Sequence, residues 1–206
     1  MPTSAKVQYG LKNIHLFPLT ETVQSGSTVM SYGTAVAFPG AVNLTLSKES
    51  GDANPFYADD SVYYLPAMQP KGYSGTLEVA LLPTSIRTAF MNYVKDAKDT
   101  IIELGEAATV YFGMTCEKTT DTGFIKKVFY KCAFGAPDFE GATTEDAISP
   151  ATESIPVTIL PTTEVFEVST GVSVPVISAY ADENSNASVI SSWHTSPHLP
   201  DFTSTP

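Results

Sequence analysis

Leu77, Val79 and Leu81 alternate with Thr76 and Glu78, and the same period of two recurs along the chain. Val42, Leu44 and Leu46 alternate with Asn43, Thr45 and Ser47. Ile155, Val157 and Ile159 alternate with Ser154 and Thr158. A period of two sends one set of side chains into a core and the other toward water, which is a strand with one wet face. One stretch changes period. Ile86, Ala89, Phe90, Tyr93, Val94 and Ala97 recur at spacings of three and four, one apolar stripe on a helix. Pro83 is tolerated at its start, Thr84 or Ser85 can cap it, and Lys95 and Lys98 favour its C-terminal end. Several short strands with one amphipathic helix predict a mainly β chain, a β-sandwich or open barrel flanked by one α-helix.

The ends are less regular. Residues 1–33 are interrupted by Pro2, Gly10, Pro18, Gly26 and Gly33, and read as an irregular arm with a short strand around Ile14–Phe17. Residues 108–116 and 124–135 read as a hairpin turning near Thr120–Asp121, followed by the acidic loop FEGATTEDAISP and a last strand. After Pro161 the composition shifts to Ser, Thr, Pro and Val. A domain is therefore expected over residues 1–161, with a C-terminal extension over 162–206. Its apolar residues are too many for disorder, and about 45 residues are too few for a free-standing core. Phe166, Val172, Val174 and Trp193 are its expected anchors on an outer surface.

Charge and motifs exclude several functions. The formal net charge of -11 opposes tight binding to phosphate backbones. The opening residues lack a secretory layout and no apolar run reaches membrane-spanning length, so folding in a reducing cytoplasm away from membranes is expected. Cys116 and Cys132 lie at unequal distances from the hairpin turn and should not face each other. His194 and His198 are separated by Pro197, and the calcium-loop pattern that begins at Asp182 fails at Ala187 and Trp193. No nucleophile elbow, phosphate loop or dinucleotide fingerprint is present, so no enzyme, cofactor or metal is expected. Asp59 and Asp60, read as neighbours on an extended strand, would point to opposite faces and so form no carboxylate pair. Phe56, Tyr57, Asp59, Asp60, Tyr63 and Tyr64 lie in a loop longer than its two flanking strands need.

Three blocks in order carry a family resemblance. YGLKNIHLFPLT precedes FPGAVNLTL. FYADDSVYY precedes GYSGTLEVALLP and the helix. KKVFYKCAFGAPDFEGATTEDAISPATESIPVTILP closes the series. Over roughly residues 5–161 the chain resembles the major tail proteins of long, non-contractile-tailed bacteriophages. The resemblance implies hexameric rings that stack into a tail tube around a lumen crossed by genomic DNA. It also implies assembly in the host cytoplasm into a virion, and tape-measure, distal tail and tail terminator proteins as partners beside the chain itself. The wet strand positions Asn43, Thr45, Ser47, Thr76, Glu78, Ser154 and Thr158 are then lumen candidates, and the aromatic loop is a subunit contact. The extension would lie on its own or a neighbouring subunit. A carbohydrate- or receptor-binding β module is the alternative, suggested by the tyrosines and by Trp193 in a Ser/Thr-rich tail.

Overall fold

The computed structural model describes residues 6–51, 54–106, 108–139, 141 and 151–202. The chain is mainly β, with 54% strand and 7% helix, as the alternating pattern requires. It begins with β1 (Gln8–Gln24), β2 (Ser27–Tyr32), β3 (Val36–Ala37) and β4 (Ala41–Ser50). A small hairpin, β5 (Phe56–Ala58) and β6 (Ser61–Tyr64), leads to β7 (Pro70–Val79) and the short helix α1 (Thr84–Phe90). A second small hairpin follows, β8 (Tyr93–Lys95) with β9 (Ile101–Glu103). Then come the long strands β10 (Phe112–Thr120) and β11 (Phe124–Phe134), and β12 (Glu153–Leu160). The C-terminal part holds β13 (Val165–Ser169), β14 (Val172–Pro175), β15 (Ser178–Asp182) and α2 (Ala187–Ser192). Most of the acidic loop at 139–150 lies outside the described residues.

One antiparallel sheet organises the molecule, in the order β2-β1-β10-β11-β12-β7-β4, with β3 on β1. β11 is where it divides. One edge of β11 pairs with β10. The other edge is shared end to end, Ile125–Phe129 with β15 and Lys131–Phe134 with β12. Beyond that fork, β12, β7 and β4 fold back over β1 and β10. The main core fills the space between the two layers: Leu16, Leu77, Phe90, Phe112, Met114, Ile155 and Ile159 with their neighbours.

β10 is buried on both faces from Phe112 to Glu117. Its odd face meets a second core of Met30, Val128, Tyr130, Ala181 and Trp193. The C-terminal segment supplies part of that core. The residues after 161 are thus built onto the main sheet of the same chain, through β15 and Trp193.

Several local expectations need correction. The first 33 residues are not an irregular arm. β1 is 17 residues long, but Gly10 (φ 68) and Asn13 (φ 53) sit where its register shifts against β10, and the two irregularities hide the alternation. Val42 is 52% exposed. A bulge sets Ala41 opposite Val79 and Asn43 opposite Glu78, so Ala41 takes the inward place. Leu81 is 71% exposed because β7 ends at Val79 and the chain turns, and Leu82 is buried instead.

The helix is half as long as its stripe. Ile86 and Phe90 are buried, but Asn92 (φ 58) breaks the helix and its amide donates to the Ala108 carbonyl. Tyr93 and Val94 are strand residues, Val94 is exposed, and Lys95 pairs with Asp99 across the turn of that hairpin. Nor does Thr84 or Ser85 cap the start: the cap position is Pro83, with no side-chain hydrogen bond. α2 lies outside the sequence expectation altogether. Asn186 caps it, accepting from the Ser188 amide.

Phe90 packs edge-on against Phe112, with ring centroids 5.3 Å apart, and is fully buried. Phe90→Ala is expected to cost about 3–5 kcal/mol in a denaturant titration. A loss under about 1 kcal/mol would mean that α1 does not hold the two layers together.

Candidate functional site

The seven wet positions of three separate segments meet on one sheet face. β4 pairs with β7, and β7 with β12, so that Asn43, Glu78 and Ser154 form one cross-strand row. Thr45, Thr76 and Pro156 form the next, and Ser47, Ser74 and Thr158 the third. Asn43, Thr45, Ser47, Thr76 and Thr158 are exposed, while Glu78 and Ser154 are half-buried. No lysine or arginine stands in these rows. The hydroxyls and carboxylates bind one another: the Asn43 amide donates to Thr45 Oγ1, Ser74 Oγ to Glu49 and Thr152 Oγ1 to Glu78. Close pairing of the three strands needs glycine at two points. A Cβ on Gly72 (φ 123) would fall 1.8 Å from the Ile159 carbonyl oxygen, and one on Gly75 would fall 1.9 Å from that of Thr45.

The long loop between β4 and β7 is a projecting hairpin. Asp59 and Asp60 are its two turn residues, both in the left-handed region at φ 49 and 58, flanked by the Ala58–Ser61 pair. They are therefore turn residues, not neighbours on an extended strand as the sequence suggested. Aspartate takes this conformation more readily than most residues, though glycine would do so without strain. Phe56, Tyr57, Tyr63 and Tyr64 are all more than half exposed, and Tyr63 is 75% exposed. Phe56 and Tyr63 touch edge-on at 6.4 Å; among the described residues β5 and β6 pair only with each other. The hairpin is thus not paired onto the main sheet of its own chain. Val62, Leu65 and Met68 add to this exposed apolar surface.

Of the four expected anchors in the C-terminal segment, Trp193 is buried at 1% exposure and Phe166 is half-buried. Val172 and Val174 are exposed and, among the described residues, do not anchor the segment, because β13 and β14 form a separate two-stranded hairpin. Val176 and Val189 pack around Trp193 in their place. Polar contacts pin the segment further. Glu164 accepts from the Met30 amide, the Tyr130 hydroxyl donates to the His198 carbonyl, and Lys131 donates to Glu21 and Thr163.

The histidines diverge. His198 stacks on Trp193, whereas His194 reaches Thr115 Oγ1 through Nδ1 and Glu117 through Nε2, at 3.1 and 3.3 Å. His15 lies against His194 at 5.1 Å. Asp182 closes its own turn by accepting from the Asn184 amide and from Ser185. Among the described residues no three potential ligands cluster in a way that could hold a metal. Cys116 and Cys132 face Lys127 and Phe112 across the hairpin, and burial pushes the Cys116 thiol up to about 11.

The His194 network joins the C-terminal segment to the sheet, and it has a pH dependence. Burial lowers the affinity of His194 for a proton, and the nearby Lys126 and His15 add to this; the Glu117 hydrogen bond opposes it without prevailing. Burial alone would raise the Glu117 carboxyl, but donors from Asn13, Lys12 and His194 hold it below the usual range. His194 is therefore neutral in the fold at pH 7, and below its ordinary value of 6.5 the unfolded chain takes the proton more readily than the folded one. Stability should fall as pH drops from 7 through 6 toward 5, and His194→Asn should flatten the dependence in that window. Equal slopes for both proteins in thermal melts would show that other groups govern it.

No protein-family model matches this chain, and no curated protein sequence matches it. Among the described residues no helix is long and apolar enough to cross a membrane.

Proposed function

We propose that the chain is a self-assembling structural subunit, a bacteriophage tail-tube protein whose copies close into rings, hexameric by the resemblance, and stack around a lumen. The observation that carries this reading is the set of three cross-strand rows on β4, β7 and β12, polar apart from Pro156, exposed or half-buried, and free of lysine and arginine. A conduit for DNA wants such a wall: wetted, neutral or acidic, without cations that would grip phosphates. The exposed aromatic hairpin supports the same reading, because apolar surface of that extent is kept where another subunit covers it. Tape-measure, distal tail and terminator proteins would be the further partners, DNA would pass in transit, and the virion tail would be the final location. The carbohydrate-binding alternative rested on exposed tyrosines and on Trp193; Trp193 is too deeply buried to offer a ring face to a sugar, and the exposed tyrosines of the β5–β6 hairpin are the rings that the subunit-contact reading uses.

Charge sets how assembly should respond to salt. At -11 per subunit, stacking brings like charges together, and the screening length shrinks from about 30 Å at 0.01 M salt to about 10 Å at 0.1 M. Purified chain should be monomeric when dilute, and light scattering at a fixed higher concentration should rise as salt goes from low to moderate. Scattering that falls over that range, or that shows monomers at every concentration, contradicts the reading.

A further inference from the structure

A cleft of about 390 Å³ opens beside β11, where β15 and the β12–β7–β4 layer part company along one edge of that strand. Leu44, Leu46, Tyr73 and Phe129 line it, and Lys118 and Lys127 stand among them. This volume is near the small end of ligand sites, suited to a few side chains rather than a whole domain. The Lys127 ammonium lies 5.3 Å from the Tyr73 ring centre and 4.8 Å from that of Phe129. In a chain with twice as many acidic as basic side chains, this cleft is lined, among the described residues, by two lysines and no carboxylate. Among the described residues neither lysine forms an ion pair.

The hairpin tip has the opposite character. Asp59 and Asp60 project at its turn, exposed and with no ion pair on their own chain among the described residues, and aromatic side chains flank them. Aromatic rings with two carboxylates match an apolar cleft with two ammonium groups in both chemistry and sign.

We infer that the cleft is the receptor for the β5–β6 hairpin of a second copy of this chain, Asp59 and Asp60 pairing with Lys118 and Lys127 while the hairpin's rings cover Tyr73 and Leu46. The contact is heterologous, hairpin of one copy into cleft of the next, so it propagates instead of closing on itself in a pair. It rests on the self-assembly reading and specifies the surface that the hairpin meets.

A charge swap tests it on the full chain. Lys118 is exposed, so Lys118→Glu should leave thermal melting unchanged. It should raise the concentration needed for assembly by roughly tenfold or more, because it sets like charges against each other. Lys98→Glu, also on an exposed lysine, makes the same change in net charge and should assemble like the original chain. Adding Asp59→Lys or Asp60→Lys to Lys118→Glu restores the net charge to -11 and should restore assembly. If the original chain assembles and Lys118→Glu assembles equally well, the docking is wrong and the tube reading stands. If Lys118→Glu fails and neither aspartate change rescues it, the cleft takes another occupant and the docking is again overturned. If the original chain never assembles, both fall.

Discussion

A chain that stops at Pro161 is expected to be recovered mainly as aggregate, with no cooperative thermal transition near that of the full protein. The reason lies in what residues 162–202 cover. Without β15, Ile125–Phe129 of β11 becomes an unpaired edge. Without Trp193, Val176 and Val189, the buried Met30, Val128 and Tyr130 face water. Removing Trp193 alone, as Trp193→Ala, should cost about 3–5 kcal/mol. A domain of this size has a total stability of only about 5–15 kcal/mol, so losing the whole second core exceeds what it can spare. Soluble yield and melting temperature of the truncated chain are the measurements. Unchanged values would make the segment a dispensable decoration.

The second large effect is on assembly and leaves folding intact. Phe56→Ala combined with Tyr57→Ala removes two rings that are each more than half exposed and lie on β5, which among the described residues pairs with β6 alone. The isolated subunit should melt where the original does, since surface changes away from buried contacts shift stability by under about 0.5 kcal/mol. Rings and tubes should disappear, because aromatic side chains at the centre of a contact carry most of its free energy. Normal tubes from this variant would show that the hairpin is not a subunit contact.

How much of this was legible in the sequence depended on whether one period held long enough. Leu44 with Leu46, Leu77 with Val79, and Ile155 with Ile159 kept strict alternation, and their wet partners came together on one face as expected. The pattern misled where backbone irregularity intervened: the bulge at Val42, the left-handed Asn13 within β1, and Asn92, which ends α1 one turn into an apolar stripe that continues as a strand. The stripe of Tyr93 and Val94 fits a helix and a hairpin equally well by spacing, and Ile101 and Ile102 across the turn decide between them.

The second core was illegible for another reason. Its members come from β2, β11, β15 and the turn after α2, and only pairing between β11 and β15 places Trp193 over Tyr130. Burial of both faces of β10 had a faint signal in the unbroken run of small and apolar residues around Gly113. Nothing in the sequence identified the face that the C-terminal segment would cover. The cleft at the fork of β11 was equally hidden, since its lining comes from distant parts of the chain.

Negative-stain electron microscopy of the concentrated full chain at moderate salt is the decisive test of tube formation. Hollow rings of one diameter are expected and, at the highest concentrations, stacks of those rings with a continuous stain-filled lumen. A field of dispersed single subunits at every concentration and salt would contradict tube formation.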